Sequence, residues 1–189
     1  AEGQGAYGRE LALGEGLVGQ CAFDKKKIML TASLPDSLQL GAGLTPGDVR
    51  ALPLNSPVVQ GGRIRERPWK LQVPGNGASQ PRETPIAPWA AELLQHWLDV
   101  RKEAGIAGEF LFPSTRTGKQ WLHASQYLCA RRVLEDAGVE SREGGSFRLR
   151  HTFAVRQLRR GTAPEQVARW LGVEPAEMRR YGRGLPAVI

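Results

Sequence analysis

The chain has 189 residues, of which 41% are hydrophobic, and it carries a formal net charge of +7. This length and apolar content suffice for one domain with a buried core, which excludes a mostly disordered protein. The sequence contains neither an apolar run of about 18 residues, as a membrane-spanning helix requires, nor a secretory signal pattern. Its two cysteines and three histidines lack the number and spacing of a disulfide scaffold or a zinc site. We therefore expect a cytoplasmic protein without membrane contact, metal or cofactor.

The positive charge is concentrated towards the end of the chain. Residues 146–183 contain nine arginines and three glutamates, so they hold six of the seven net positive charges. Every basic residue in this stretch is an arginine, and a guanidinium group matches two phosphate oxygens at once. On charge alone, a nucleic-acid partner and a solvated basic face are equally good interpretations.

Apolar periodicity and turn residues predict a mainly helical α+β domain with a small antiparallel hairpin or three-stranded sheet. Residues 1–36 begin glycine-rich and lack clear periodicity, so we expect an N-terminal segment there and the domain over 37–189. Thr45 is the expected N-cap of a helix that has Pro46 at its first position. In chain order, the predicted elements are helices over 38–44 and 46–52, a hairpin over 69–86, and helices over 88–102, 123–137, 149–160, 164–171 and 175–181.

The helix over 88–102 has an apolar repeat that predicts its buried face. Trp89, Leu93, Trp97 and Val100 recur at helical spacing, and we expect Trp89 and Trp97 to belong to the core. The run over 110–113, which follows two glycines, reads as a short buried segment.

Two motifs carry a resemblance to a known family. Residues 147–154 read Phe-Arg-Leu-Arg-His-Thr-Phe-Ala, and residues 43–52 read Gly-Leu-Thr-Pro-Gly-Asp-Val-Arg-Ala-Leu. The first resembles box II of the tyrosine recombinases, the phage integrase family, and the second resembles the Gly-Leu-Arg-x-x-Glu-x-x-x-Leu of box I. Residues 171–173 resemble the family's Leu-Gly-His turn, and Tyr181 follows at the spacing of its nucleophilic tyrosine. The resemblance covers residues 37–183.

This resemblance implies an integrase-like catalytic fold that binds double-stranded DNA. The implied activity is site-specific recombination or integration, as in mobile elements, through a phosphotyrosine intermediate. The implied catalytic residues are Tyr181 as nucleophile, Arg150 as a phosphate-binding arginine, and His151 beside it. A homo-oligomer or a recombinase partner on the DNA is also implied. The expected DNA-binding residues are the arginines of the C-terminal stretch: Arg148, Arg156, Arg159, Arg160, Arg169, Arg179 and Arg180.

The chain departs from the family at most of its catalytic positions. The replaced positions are the box I arginine (Thr45), the first box II histidine (Phe147), the hairpin lysine (Gln80 or Asn76) and the later histidine or tryptophan (Val173). Losing one preorganised transition-state donor typically costs about 10²–10³ in rate. We therefore expect DNA binding with impaired cleavage.

Two other interpretations compete with a recombinase. Residues 164–181 alone are typical of a helix-turn-helix, which makes a non-catalytic DNA-binding or regulatory protein the main alternative. Residues 14–22, Gly-Glu-Gly-Leu-Val-Gly-Gln-Cys-Ala, resemble a segment of GAF sensory domains and suggest a sensory or interaction domain.

Overall fold

The computed structural model describes residues 34–59, 68–76, 79–114, 117–136 and 147–182. The GAF-like segment lies outside these residues, and the boundary between 36 and 37 stays a prediction. In chain order, the described elements are α1 (34–42), α2 (Pro46–Ala51), β1 (Pro57–Val59), β2 (Pro68–Val73), β3 (Arg82–Pro85), α3 (Pro88–Glu103), α4 (His123–Asp136), α5 (Phe147–Arg159), α6 (Pro164–Leu171), a 3₁₀ turn (Pro175–Met178) and α7 (Arg179–Gly182).

The sheet is three-stranded and antiparallel, in the order β1-β2-β3. The predicted hairpin is confirmed, since Leu71 of β2 pairs with Thr84 of β3 and Val73 pairs with Arg82. The side chains of Leu71 and Thr84 are both buried, so these residues face the interior at the same level of the sheet. The expected α+β architecture is thus confirmed in its three-stranded form.

Helix α2 begins as the sequence predicts. The Thr45 hydroxyl accepts a hydrogen bond from the Asp48 amide (3.0 Å), and the Asp48 carboxylate accepts one from the Thr45 amide (2.8 Å). This reciprocal capping box satisfies two amides at the helix start, with Pro46 at the first helical position. Thr45, which the resemblance aligns with the box I arginine, is therefore an N-cap.

Helix α3 lies at the predicted place, but its buried face differs from the prediction. Trp97 and Val100 are buried, whereas Trp89 and Leu93 are 39% and 37% exposed. The core face passes instead through Ala90, Ala91 and Leu94. A Cβ placed on Gly41 of α1 would lie 2.5 Å from the Ala90 Cβ, so α1 and α3 approach too closely for larger side chains. The expectation that Trp97 belongs to the core is confirmed, and the same expectation for Trp89 was wrong.

The last predicted helix is shorter and less regular than expected. A 3₁₀ turn that begins at Pro175 is followed by a single α-helical turn that contains Tyr181. The helix before it, α6, ends at Gly172, whose φ of +66° is a left-handed conformation that favours glycine. The segment from α6 to α7 therefore lacks the continuous second helix of a helix-turn-helix.

Helix α1 carries a buried carboxyl group. Asp36 is 7% exposed, and its Oδ1 accepts a hydrogen bond from Gln39 Nε2 (2.9 Å), while its Oδ2 has no partner. Burial raises the pKa of Asp36 from its usual 3.8 to about 7, although the Gln39 hydrogen bond acts in the opposite direction.

Asp36 is therefore expected to make the protein less stable as the pH rises. Between about pH 4 and pH 7 the folded state holds a proton that the unfolded state has released, so the free energy of unfolding falls across this window. An Asp36→Asn variant lacks the titrating group and should be more stable than the wild type near pH 8, by roughly 2–4 kcal/mol. Urea unfolding near pH 8 and pH 4 measures this. A stability difference that is the same at both pH values contradicts the prediction.

Candidate active site

Tyr181 lies in the interior of the C-terminal half, beside box II. Its side chain is 8% exposed and belongs to a cluster with Phe153, Val167 and Leu171. The Tyr181 ring centroid lies 5.0 Å from that of His151, an exposed residue of α5. The folded chain thus brings two of the three predicted catalytic residues into contact.

Arg150 is buried between α5, the turn after α1, and the end of α6. It is 6% exposed, and it donates hydrogen bonds from Nη1 to the Gly43 carbonyl (2.7 Å) and from Nη2 to the Leu171 carbonyl (2.7 Å). Burial lowers the pKa of Arg150, although the nearby Tyr181 phenol and Asp48 carboxylate favour its charged form. Tyr181 is therefore also a neighbour of Arg150, and the three predicted catalytic residues lie together.

The Asp48 carboxylate is the hydrogen-bonding centre of this region. Its Oδ2 accepts from Arg82 Nη2 (2.7 Å) and lies 3.9 Å from Arg150 Nη1. Its Oδ1 accepts from Asn76 Nδ2 (2.8 Å) and from the Ser79 hydroxyl (2.8 Å). Burial alone would raise the pKa of Asp48, but the hydrogen bond and charge of Arg82 outweigh it and hold the pKa below its usual value. Asp48 is therefore a charged group that ties box I to the β2–β3 hairpin.

A pocket of about 570 Å³ opens beside Tyr181. His151 and Thr152 line it together with three arginines, and the described lining residues include no carboxylate. The arginines are Arg156 and Arg159 of α5 and Arg180 of α7; Arg180 also pairs with Glu177 on the protein surface (2.7 Å). Such a pocket suits an anion with several oxygens, because each guanidinium presents a planar set of donors.

The remaining predicted DNA-binding arginines lie outside this pocket. Arg148, Arg160, Arg169 and Arg179 are all exposed. Arg169 lines a second pocket of about 460 Å³, between the β2–β3 hairpin and α6. Gln80 and Val173, which the resemblance aligns with catalytic positions of the family, line this second pocket as well. The Tyr181 pocket shares none of its described lining residues with the second pocket.

Sequence reasoning missed Asp48 and Arg82 as members of this region. Asp48 stands at the acidic position of box I, three residues after Thr45, so a capping box was a visible signal for it. Nothing local signals that Arg82, 34 residues further along the chain, is its partner.

Among the described residues, no group of three His, Cys, Asp or Glu side chains is arranged to hold a metal ion. Over the same ranges, no helix combines the length and apolar character needed to span a bilayer. The expected absence of a cofactor stays a prediction.

Comparison with known families decides the classification. The sequence model of the phage integrase family matches residues 37–182. This chain belongs to the phage integrase family. The resemblance that boxes I and II indicated is therefore confirmed. No curated protein matches the chain.

Solved recombinases share the fold of this phage integrase domain. A XerH site-specific recombinase bound to its difH substrate matches with a TM-score of 0.66 at 21% identity, over 85% of this chain and 45% of XerH. A XerA recombinase matches with a TM-score of 0.66 at 21% identity, over 87% of this chain and 59% of XerA. A lambda integrase dimer on a core site matches with a TM-score of 0.54 at 17% identity, over 88% of this chain and 61% of that one. The domain thus spans about half the length of these proteins.

Proposed function

We propose that this phage integrase domain binds double-stranded DNA and acts in site-specific recombination or integration, with its own strand cleavage impaired. The observation that carries the proposal is that the three predicted catalytic residues lie together beside the arginine-lined Tyr181 pocket. Tyr181 contacts His151 and neighbours Arg150, and its pocket is lined by arginines. The DNA-bound state of the XerH and lambda integrase structures supports the same partner for this chain.

The DNA-binding part of the proposal rests on the charge and exposure of the C-terminal helices. Arg156, Arg159 and Arg180 surround one pocket, so they present a concentrated positive potential to an approaching phosphate backbone. Arg148, Arg160, Arg169 and Arg179 are exposed on the same C-terminal elements and extend the basic surface. Because each neutralised phosphate releases counterions, binding should weaken steeply with salt.

The chemical part of the proposal is a phosphotyrosine exchange. The Tyr181 oxygen would attack a phosphorus atom of the backbone as its hydroxyl proton leaves, and the bond from phosphorus to the leaving deoxyribose oxygen would break. The leaving oxygen would take up a proton, and the covalent phosphotyrosine would keep the bond energy for rejoining. In this proposal Arg150 is the ligand of the scissile phosphate and His151 is its neighbour, as the resemblance to box II implies.

The replaced residues explain why we propose impaired cleavage. Thr45 has no positive charge, and its hydroxyl is engaged in capping α2. Neither Gln80 nor Val173 can transfer a proton as a lysine or histidine would. Both residues also line a different pocket from Tyr181. Removing one such donor costs about 10²–10³ in rate, and several losses need not add. We propose that productive cleavage depends on a partner recombinase on the same DNA.

A helix-turn-helix regulator is the weaker alternative. Its recognition helix would have to be the segment after Gly172, and that segment is a 3₁₀ turn and one α-helical turn. The α-helical turn has only four residues, Arg179–Gly182, which is shorter than a recognition helix that lies in the major groove.

The proposal is tested with a pool of duplexes of random sequence that each carry a nick. When a strand is cleaved near the nick, the short fragment that could be rejoined diffuses away, so the protein stays covalently attached to the DNA. We expect retention of duplex DNA with a clear salt dependence and no adduct that survives denaturation. A covalent adduct present in the wild type and absent from Tyr181→Phe would show that cleavage is intact. Retention that does not change with salt would overturn the DNA-binding proposal itself.

The binding surface is tested separately with charge-removing variants. An Arg156→Gln/Arg159→Gln double variant should reduce the slope of log affinity against log salt by about 2, roughly one unit for each phosphate contact. Lys102→Gln is the matched control, since Lys102 is an exposed basic residue of α3 outside the Tyr181 pocket. If the control and the double variant have equal slopes of log affinity against log salt, the DNA does not bind at the Tyr181 pocket.

A further inference from the structure

The second pocket, between the β2–β3 hairpin and α6, differs from the Tyr181 pocket in the chemistry of its polar side chains. Among its lining residues are an arginine, two amides and a carboxylate: Arg169, Gln80, Gln166 and Glu174. Gln166 is half-buried, and the other three are exposed. The described lining of the Tyr181 pocket has three arginines and neither an amide side chain nor a carboxylate. The two pockets therefore suit different parts of a DNA duplex.

The charged side chains that line the second pocket balance, with two arginines and two glutamates: Arg82, Arg169, Glu83 and Glu174. A phosphate is therefore attracted more strongly to the Tyr181 pocket, where the charged groups of the described lining are all positive. The edge of a base pair has no net charge and presents hydrogen-bond donors and acceptors side by side. A glutamine amide supplies both a donor and an acceptor. The second pocket thus matches base edges better than it matches the phosphate backbone.

Arg82 fixes the spacing between the hairpin and α6. Its Nε donates to the Trp170 carbonyl, near the end of α6 (2.8 Å). A Cβ on Gly172 would lie 2.8 Å from the Arg82 side chain, so the end of α6 rests directly on this arginine. Gln166 and Arg169, three residues apart on α6, share one face of the helix. Their side chains therefore extend from a helix whose distance to the hairpin is set.

Gln80 lies beside the anchored part of the hairpin. Ser79, which precedes it, is buried and donates from its hydroxyl to Asp48 Oδ1 (2.8 Å). The Gln80 carbonyl accepts a hydrogen bond from Arg82 Nη1 (3.4 Å). The backbone around Gln80 is thus held, while the side chain is exposed. Recognition sites need this arrangement, because their polar groups must stay within about 0.5 Å of the productive geometry.

One duplex is long enough to contact both pockets. Glu174 of the second pocket and Arg180 of the Tyr181 pocket are six residues apart in the chain. Six residues span at most about 22 Å, whereas one turn of B-DNA is about 34 Å long. Less than one helical turn of DNA therefore covers the distance between these two residues.

We propose that Gln80, Gln166 and Arg169 bind the base edges of the DNA and make its binding depend on sequence. This inference rests on the proposed DNA binding. Arg169 can donate two hydrogen bonds to a guanine, and each glutamine can pair with an adenine through its donor and its acceptor. The arginines of the Tyr181 pocket hold the backbone of the same duplex without regard to its sequence.

The first test sequences the duplexes that the wild type and a Gln80→Ala/Gln166→Ala double variant each retain from a pool of random sequence. The wild type should enrich particular base pairs at a few positions. The double variant should lose about 5- to 100-fold of this discrimination at one or more of them, as expected for a lost bidentate base contact. Its slope of log affinity against log salt should not change, because neither glutamine is charged. A double variant that keeps the full preference overturns the inference.

Arg156→Gln/Arg159→Gln is the control for this test, since it changes the Tyr181 pocket and leaves the second pocket intact. Its salt slope should be smaller by about 2, and it should enrich the same base pairs as the wild type. A control that loses the sequence preference as fully as the double glutamine variant contradicts the division between the two pockets.

The second test uses Gln166→Glu, which keeps the acceptor oxygen and removes the donor. Because a carboxylate accepts from the amino group of cytosine, the preference at one position should shift from adenine to cytosine. If the double variant does not fold, this single change decides, and an unchanged preference overturns the inference.

The wild type alone separates this inference from the proposed function. If it retains no DNA, the proposed function fails and the inference fails with it. If it retains DNA in a salt-dependent manner but enriches no base pair, the DNA-binding proposal stands and only the inference is overturned.

Discussion

An Asp48→Asn variant is expected to lose about 3–5 kcal/mol of the free energy of unfolding, the usual cost of removing one partner of a buried ion pair. The carboxylate is buried and accepts hydrogen bonds from Asn76, Ser79 and Arg82 of the β2–β3 hairpin. The amide of an asparagine at this position carries an NH₂ group, which cannot accept the hydrogen bonds that the neighbouring side chains donate to the carboxylate. It also leaves the Arg82 guanidinium, whose side chain is 4% exposed, without a counter-charge.

The pH dependence of this loss has a defined sign. The pKa of Asp48 in the folded state lies below its usual 3.8, so its stabilisation is complete above about pH 4 and disappears as the pH falls through the folded-state pKa. Urea unfolding near pH 7 and near pH 3 should therefore show a smaller difference between wild type and Asp48→Asn at the lower pH. Asp99→Asn, at an exposed carboxylate on α3, is the control and should change stability by less than about 0.5 kcal/mol. A loss at Asp48 no larger than at Asp99 refutes the prediction.

A Gly43→Ala variant is expected to lose about 2–5 kcal/mol of the free energy of unfolding, from two separate effects. Gly43 has a φ of +69°, where a side chain adds roughly 1–2 kcal/mol of backbone strain. The added Cβ would also lie 2.6 Å from the buried Phe153 ring and 2.9 Å from Leu171, and such overpacking costs about 1–3 kcal/mol. Relief requires α5 to move away from α1, which also stretches the Arg150 bond to the Gly43 carbonyl.

Gly161→Ala is the matched control for Gly43→Ala. Gly161 has a φ of +83°, but no described atom lies within 4 Å of the position of its Cβ. This control therefore carries the backbone strain without the packing conflict. Thermal unfolding measures the stability loss of each variant, and the difference between the two losses is the cost of the contact of the added methyl group with Phe153 and Leu171. Equal losses of stability for Gly43→Ala and Gly161→Ala would show that the space between Gly43, Phe153 and Leu171 tolerates a methyl group.

Much of the local structure was predictable because its causes lie close together in the chain. The Thr45 and Asp48 capping box spans four residues, and the turn after β2 is marked by Pro74 and Gly75. The bounds of α6 were predicted correctly because Pro164 and Gly172 mark its two ends. The buried face of α3 was predicted only in part, because the space available beside Ala90 is set by Gly41, which belongs to another helix.

The family was also determined by the sequence, through the short motifs of boxes I and II and their order along the chain. So was the concentration of arginines in residues 146–183. Only the tertiary structure decided which of these arginines face outward. Arg150 and Arg156 differ little as sequence positions, yet Arg156 lines an open pocket while Arg150 reaches the carbonyl of a residue 107 positions away. Burial depends on such distant partners, because a guanidinium enters an interior only where folding has placed oxygens to receive its hydrogen bonds.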